Sequence, residues 1–297
     1  MFFPVSGLNV FPLVPFLVAF VISLFTSTGG VSGAFVLLPF QVSILGFSGP
    51  AVTPTNHLFN VVAIPSGVYR YVSEGRMVWP LTILIILGTI PGVIVGSLVR
   101  IWYLPEAHRF KLFIAFVLLL LGSQLVAKIL RSKWQNGIPA PDPGSFHVRT
   151  IRFDFRRLEY EFGGSVHCVS TAPLFLLTVV IGVIGGAYGV GGGAIIAPFL
   201  VSLFDLPVHT IAGATLMGTC LTSIVGVAFF ALAQPLFGIP GVSPDWLLGG
   251  LFGLGGFFGM YCGARLQRRI PARLIQVVLA TLVLTLAISY TIGYFRG

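Results

Sequence analysis

Long apolar runs separated by short polar breaks set the pattern of this chain. The runs fall at about 10–28, 33–46, 50–70, 77–99, 107–130, 172–187, 193–204, 208–234, 244–264 and 271–294. A helix needs about 20 mainly apolar residues to cross the hydrocarbon core of a bilayer. The runs at 33–46 and 193–204 are too short to cross comfortably, and 172–187 is marginal. The others are long enough. The pattern predicts an all-α, polytopic helical membrane protein.

Composition agrees. The 297 residues are 56% hydrophobic and only 8% charged, with a mean hydropathy of +0.99. A soluble domain carries roughly a quarter charged residues, so this surface needs lipid as its solvent. The net charge of +9 does not point to nucleic acid, because the basic residues sit at helix ends. No Lys or Arg occurs before Arg70. The first run therefore lacks the basic region of a signal peptide and is expected to stay in the chain. Cys168, Cys220 and Cys262 show no paired spacing, which implies neither a disulfide framework nor a metal site. No cofactor is expected.

The stretch 134–170 interrupts the apolar pattern and divides the chain into a first membrane repeat (1–133), a polar linker (134–170) and a second membrane repeat (171–297). Prolines and glycines mark the ends of the linker. Within it, Ile151, Phe153, Leu158, Tyr160 and Phe162 alternate with charged residues, the period of a small strand pair or an edge on the membrane surface.

The two flanking parts match. GGVSGAFVLLPF at 29–40 answers YGVGGGAIIAPFL at 188–200, with Gly33 opposite Gly192 and Pro39-Phe40 opposite Pro198-Phe199. Asn56 then answers Thr215, Gly92 and Gly96 answer Gly259 and Gly263, and Leu104-Pro105 answers Ile270-Pro271. Matches in one order at nearly constant offset make an internal repeat. If each short run pairs with the run before it, as a re-entrant hairpin or as two crossings, then of the 17 Lys and Arg only Arg100, Arg109, Lys111 and Arg296 fall on one side. That is 13 against 4, compared with 10 against 7 if the short runs only dip in after a full crossing. The stronger asymmetry satisfies the positive-inside rule better. It gives each part an odd number of crossings. The expected architecture is two inverted repeats, each a broken or re-entrant helix pair plus three membrane-spanning helices, with the linker cytoplasmic.

Candidate chemistry lies in the two glycine-rich breaks, at Gly29, Gly30, Ser32 and Gly33 and at Gly189, Gly191, Gly192 and Gly193. Each glycine costs about 1 kcal/mol in a helix, and unpaired backbone is tolerated at membrane depth only inside protein or beside a water-filled cavity. Close helix packing is the plainer explanation of such glycines. Paired Gly-interrupted segments in corresponding positions of two repeats are instead the mark of a transporter's binding site. A helix is expected to start just after each break, near Ala34 and near Ala194. Two helix N-termini offer N–H donors and about one positive charge together, which suits a small monoanion. Ser32, Thr55, Asn56, Thr215 and Thr219 add hydroxyl or amide groups. Thr53-Pro54 has the form of an N-cap and first-turn proline. His57, ionisable within an apolar run, is a proton-relay candidate or a buried neutral histidine bonded to a carbonyl. His209 stands at a helix start, Asp205 and Asp245 read as loop or N-cap residues, and Arg265, Arg268, Arg269 and Arg273 as lipid-headgroup anchors. A rival reading is intramembrane proteolysis, since Gly46-Phe47-Ser48-Gly49 matches the GxSG nucleophile motif of rhomboid proteases. It would need a histidine base near Ser48.

The repeated order of Gly-rich break, short apolar segment ending in Pro-Phe, and Thr/Asn-bearing helix resembles the sulfite exporter TauE/SafE family. The likeness is clearest at GVGGGAIIAPF, and the first copy departs from it at Ser32 and Ala34. The resemblance implies a secondary transporter, often an exporter, of sulfite or small organosulfonates such as sulfoacetate, driven by the proton gradient. It implies a multi-pass protein of a bacterial inner membrane, with lipid and a small sulfur anion as partners and a homodimer as a possible state. A channel or facilitator for another small anion is the alternative.

Overall fold

The computed structural model describes residues 1–28, 32–75, 77–132, 148–154, 156–162, 164–204, 206–266 and 272–296. A two-strand ribbon, β1 (Phe2–Phe3) with β2 (Leu8–Asn9), precedes α1 (Leu13–Thr28) and α2 (Ala34–Ser43). Then come α3 (Val52–Ala63), α4 (Pro65–Ser73), α5 (Trp79–Trp102) and α6 (Ala107–Ser132). Three strands follow, β3 (Arg149–Phe153), β4 (Arg157–Phe162) and β5 (Ser165–Ser170). The second set of helices is α7 (Thr171–Tyr188), α8 (Gly192–Phe204), α9 (Val208–Phe237), α10 (Trp246–Leu266) and α11 (Ala272–Arg296). Among the described residues, five segments are each long and apolar enough to span: Trp79–Trp102, Ala107–Ala127, Thr171–Tyr188, Thr210–Phe237 and Trp246–Gly263. The protein is a helical, multi-pass membrane protein, as the apolar runs predicted.

Burial reverses the pattern of a water-soluble bundle. Helix α1 exposes Leu13, Leu17, Val21 and Phe25, one residue per turn, and turns Ser23 and Thr26 inward. Helix α5 exposes Ile83, Leu87 and Ile94 and buries Thr82, Thr89, Ser97 and Arg100. Apolar stripes face outward because lipid is the solvent there, and polar groups gather inside where they find partners.

Two glycine-faced helix pairs organise the bundle. On α5, Gly88, Gly92 and Gly96 lie against the backbone of α7 at Phe175, Val179 and Val183. On α10, Gly255, Gly259 and Gly263 lie against the backbone of α1 at Phe16, Phe20 and Leu24. The missing Cβ atoms let the backbones approach within reach of Cα–H···O contacts. In both pairs the numbers rise together, so the two helices of each pair run parallel. Helices α6 and α11 pack antiparallel, with His108 stacked on Tyr294 at 4.2 Å and Gly122 against Val283 and Leu284.

These directions fix where the short helices go. The start of α2 packs at Gly33 against Ile22, Ser23 and Thr26 of α1, while its far end reaches Tyr290 through Pro39 and Ser43. Helix α2, about 15 Å long at 1.5 Å per residue, therefore doubles back toward the face where the chain starts. Helix α8 doubles back from the end of α7 toward the opposite face, where α9 begins. Residues 44–51, 103–106 and 238–245 lie on the N-terminal face with residues 1–12. Residues 148–154, 156–162, 164–170 and 206–207 lie on the opposite face.

The strand pair expected in the linker is a three-stranded antiparallel meander in the order β3-β4-β5. Leu158, Tyr160, Phe162 and Val169 are buried, and the Tyr160 hydroxyl meets that of Thr210 on α9 at 2.9 Å. Strand β5 escaped the sequence pattern because only Val169 of its residues is buried, so its apolar positions keep no clear period. Asp245 caps α10 as expected, accepting from Leu248 N at 3.1 Å. Asp205, Arg268, Arg269 and part of the linker (residues 134–147) lie outside the described residues. Thr53 does not cap α3. The chain already turns at Gly49 and Pro50, whose carbonyls accept from Val52 N and Thr53 N, so the helix starts earlier and the Thr53 hydroxyl is free for another partner.

Candidate functional site

Both breaks are built by backbone chemistry that glycine permits. After α7, Gly189 (φ +88°) and Gly191 (φ +75°) take the left-handed conformation. The N–H groups of Gly189, Val190 and Gly191 all converge on the Gly185 carbonyl at 2.8, 3.0 and 3.3 Å. This ends α7, and α8 starts at Gly192 as a separate helix. A Cβ on Gly191 would lie 3.0 Å from the Ser223 hydroxyl and the Thr219 carbonyl. Before α2, the Ser32 hydroxyl accepts from Ala34 N at 3.3 Å. Gly33 is in the ordinary right-handed region at φ −66°. Its role is spatial, since a Cβ there would sit 3.2 Å from the hydroxyls of Ser23 and Thr26. Gly29 and Gly30 lie outside the described residues.

Helix α3 ties the two breaks together through two asparagines one turn apart. The Asn56 amide donates to the carbonyl of Ala34, at the start of α2, and to that of Gly189, in the second break, both at 3.0 Å. Its oxygen accepts from Gln41 at 3.1 Å. Asn60 donates to the Val190 carbonyl at 2.9 Å and accepts from the Ser32 hydroxyl at 2.5 Å. Thr53 donates to the Ala187 carbonyl at 3.2 Å. All these side chains are buried. One helix face thus holds two breaks far apart in sequence.

Other predicted residues take different places. Gly193 packs against the backbone of Thr215 and Thr219 on α9. The hydroxyls of Thr215 and Thr219 bond back to the carbonyls of Ala212 and Thr215, at 3.1 and 2.8 Å, the usual way a helix interior satisfies threonine. Gly192 packs against Thr89 of α5. Thr55 points away from the breaks: its hydroxyl donates to Ala51 O and accepts from Asp245 N at 2.9 Å, which joins α3 to α10 near the N-terminal face. His57 is fully buried, its Nδ1 lies 3.3 Å from the Ser223 hydroxyl, and its ring lies against Gly226.

Buried polar atoms without partners gather around the same place. Ser23 Oγ, Thr26 Oγ1, Gln41 Oε1 and His57 Nε2 find no hydrogen-bond partner among the described residues. The first two face Gly33, Gln41 bonds Asn56 through its amide nitrogen, and the His57 ring lies on another face of α3, against Ser223 and Gly226 of α9. An unpaired buried polar group costs about 1–3 kcal/mol. The three groups of Ser23, Thr26 and Gln41, near Gly33 and Asn56, make a place equipped to hydrogen-bond a polar ligand.

Sequence reasoning missed Asn60, Gln41, Ser223 and above all Arg100. Counted with the loop residues, Arg100 is in fact fully buried within α5. Its Nε donates to the Thr53 hydroxyl at 3.1 Å, and its terminal nitrogens donate to the carbonyls of Ser48, Gly49 and Leu104. The guanidinium lies over the Phe110 ring, 3.6 Å from its centre. The available signal was its place in the apolar run SLVRIWYL.

Comparisons with known proteins agree with this picture. The family signature of the sulfite exporter TauE/SafE matches residues 15–290. The "Probable membrane transporter protein YdhB" of Bacillus subtilis (strain 168) is 31% identical over 122 residues, 41% of this chain and 46% of that protein. The chain thus spans under half the length of this relative. The "Probable membrane transporter protein YjnA" of the same organism is 22% identical over 261 residues, 86% of this chain and 90% of that one. No solved structure matches the chain. These matches are to transporters and not to enzymes. The protease reading of Ser48 lapses, and what the structure gives Ser48 is a carbonyl bonded to Arg100.

Proposed function

The chain belongs to the sulfite exporter TauE/SafE family, and from that premise we propose that it is a secondary transporter of sulfite or small organosulfonates. The substrate sits where the two breaks meet, beside Ser32, Gly33, Asn56, Gly189, Gly191, Gly192 and Gly193, with Thr215 and Thr219 behind them. The observation that carries this reading is the Asn56 amide, which touches the start of α2 and the second break at once. A small anion there is stabilised by the N-terminal ends of α2 and α8 with no fixed cation in contact.

Alternating access follows from an inverted repeat. The glycines of α10 that meet α1 lie 167 residues after those of α5 that meet α7, and the facing backbone positions are separated by a constant 159. Gly33 and Gly192 are separated by the same 159. Followed through the chain, α1, α5 and α6 run opposite to α7, α10 and α11, their counterparts. Each half thereby lends its first helix to the other half's glycine-faced helix, so the halves can rock about the network at α3. The N-terminal face is the outer one, and the basic face carrying β3–β5 is cytoplasmic in a bacterial inner membrane.

His57 adjoins the network and has an unpaired Nε2, which fits it to carry the coupled proton. The test is flux of labelled sulfite and sulfoacetate into proteoliposomes, with and without an imposed pH gradient. Saturable uptake against the anion's gradient is expected, and His57→Gln should uncouple that uptake from the pH gradient. Downhill flux alone would make the protein a facilitator, and flux of neither anion would remove sulfur from the proposal.

A further inference from the structure

Arg100 is a buried cation with no counter-ion among the described residues. The ion pairs Arg70–Glu74, Arg109–Glu106 and Arg152–Asp154 lie elsewhere and are exposed. Its five N–H donors meet one hydroxyl and three main-chain carbonyls. A charge kept inside the membrane region under these conditions is costly and marks function. Two of the carbonyls, Ser48 and Gly49, belong to the loop between α2 and α3, at the N-terminal face. Through Thr53 the same guanidinium connects to Ala187, at the edge of the second break.

Among the described residues, no second buried arginine answers Arg100 in the other half. At the 167-residue offset of the glycine-faced helices, Arg100 corresponds to Gln267, and at the 159-residue offset of the breaks, Thr53 corresponds to Ala212. One half has a cation and a hydroxyl where the other has an amide and a methyl group. The two halves thus differ in charge at these sequence positions.

Resting on the transport reading above, we propose that Arg100 is an anion-operated latch on the N-terminal face. The guanidinium is held shut by the Ser48 and Gly49 carbonyls. A small oxyanion offers two coplanar oxygens with a full negative charge, which a guanidinium fork prefers over neutral carbonyls. The anion takes the place of the two carbonyls, which frees the 44–51 loop from α5 and opens that face. Among the described residues the opposite face carries no buried guanidinium, and on that footing the latch makes anion recognition one-sided.

The test is anion flux measured separately from each face of oriented proteoliposomes. Orientation is read by a membrane-impermeant maleimide at Cys168 on the β-sheet face, in a C262S background. Sulfite, acetate, nitrate and chloride are compared for the wild type, R100K and R100Q. R100K keeps the charge and loses the fork. It is expected to raise the KM for sulfite about tenfold or more from the N-terminal face and less than about twofold from the other. R100Q should go further in the same direction. If R100Q does not fold, R100K decides. Equal KM changes at both faces, an unchanged KM, or a fall in kcat alone would overturn the latch and leave the transport reading standing. A wild-type protein that moves none of the four anions, and no sulfoacetate either, would overturn both.

Discussion

Replacing Asn56 with alanine removes the amide that joins both breaks, and its cost can be worked from the contacts. Three partners lose their hydrogen bond in the buried interior: Gln41 Nε2, the Ala34 carbonyl and the Gly189 carbonyl. Polar contacts between membrane helices average about 0.6 kcal/mol, which sets a floor of about 2 kcal/mol for three. An orphaned buried group costs about 1–3 kcal/mol, which sets a ceiling of about 9 kcal/mol for three. Even the floor lowers the melting temperature by about 4 °C or more for a chain of this size. Cys220 is buried and reports unfolding by thiol labelling once Cys168 and Cys262 are replaced by serine. Asn60→Ala should behave likewise, and because both residues hold the same two breaks the double variant should be non-additive by about 0.5 kcal/mol or more. A shift within about 1 °C for Asn56→Ala, or strict additivity with Asn60→Ala, would refute the idea that α3 clamps the breaks.

Two further substitutions probe the fold around the site. Gly193→Ala places a Cβ against the Thr215 and Thr219 backbone and should cost about 1–3 kcal/mol and most of the transport, whereas Gly250→Ala meets nothing within 4 Å and should be neutral or slightly stabilising in the same melting assay. Burial pushes the Tyr160 hydroxyl up to about 12. Since the folded value lies above the unfolded value of about 10, this contribution is intact below pH 10 and is lost as pH rises toward 12. Tyr160→Phe should therefore flatten the loss of stability across pH 10–12 relative to the wild type, and parallel curves would refute that assignment.

The sequence alone determined the class of this protein and where its apolar runs are broken. Apolar runs of membrane length need no partner to be recognised, because the bilayer imposes length and hydrophobicity on each helix separately. Glycines at fixed offsets are equally local, and they led to the Gly92–Gly96 and Gly259–Gly263 contacts. Asn56 was legible because an amide inside an apolar run requires a partner. Which partner was not legible, since Ala34 and Gly189 are 155 residues apart and meet only after the bundle closes. Thr55, an equally plausible ligand by type, is one position away on the helix. That places it on another face, against Asp245. Arg100 reads in the sequence as a helix-end cation, which in most membrane helices reaches for lipid headgroups. Only the folded chain encloses it with the carbonyls of a loop some 50 residues earlier and a phenylalanine ring on the next helix. Length and hydropathy are properties of a segment, but partnership in the membrane interior is a property of the packed bundle, and that is why tertiary structure alone decided which buried polar groups meet.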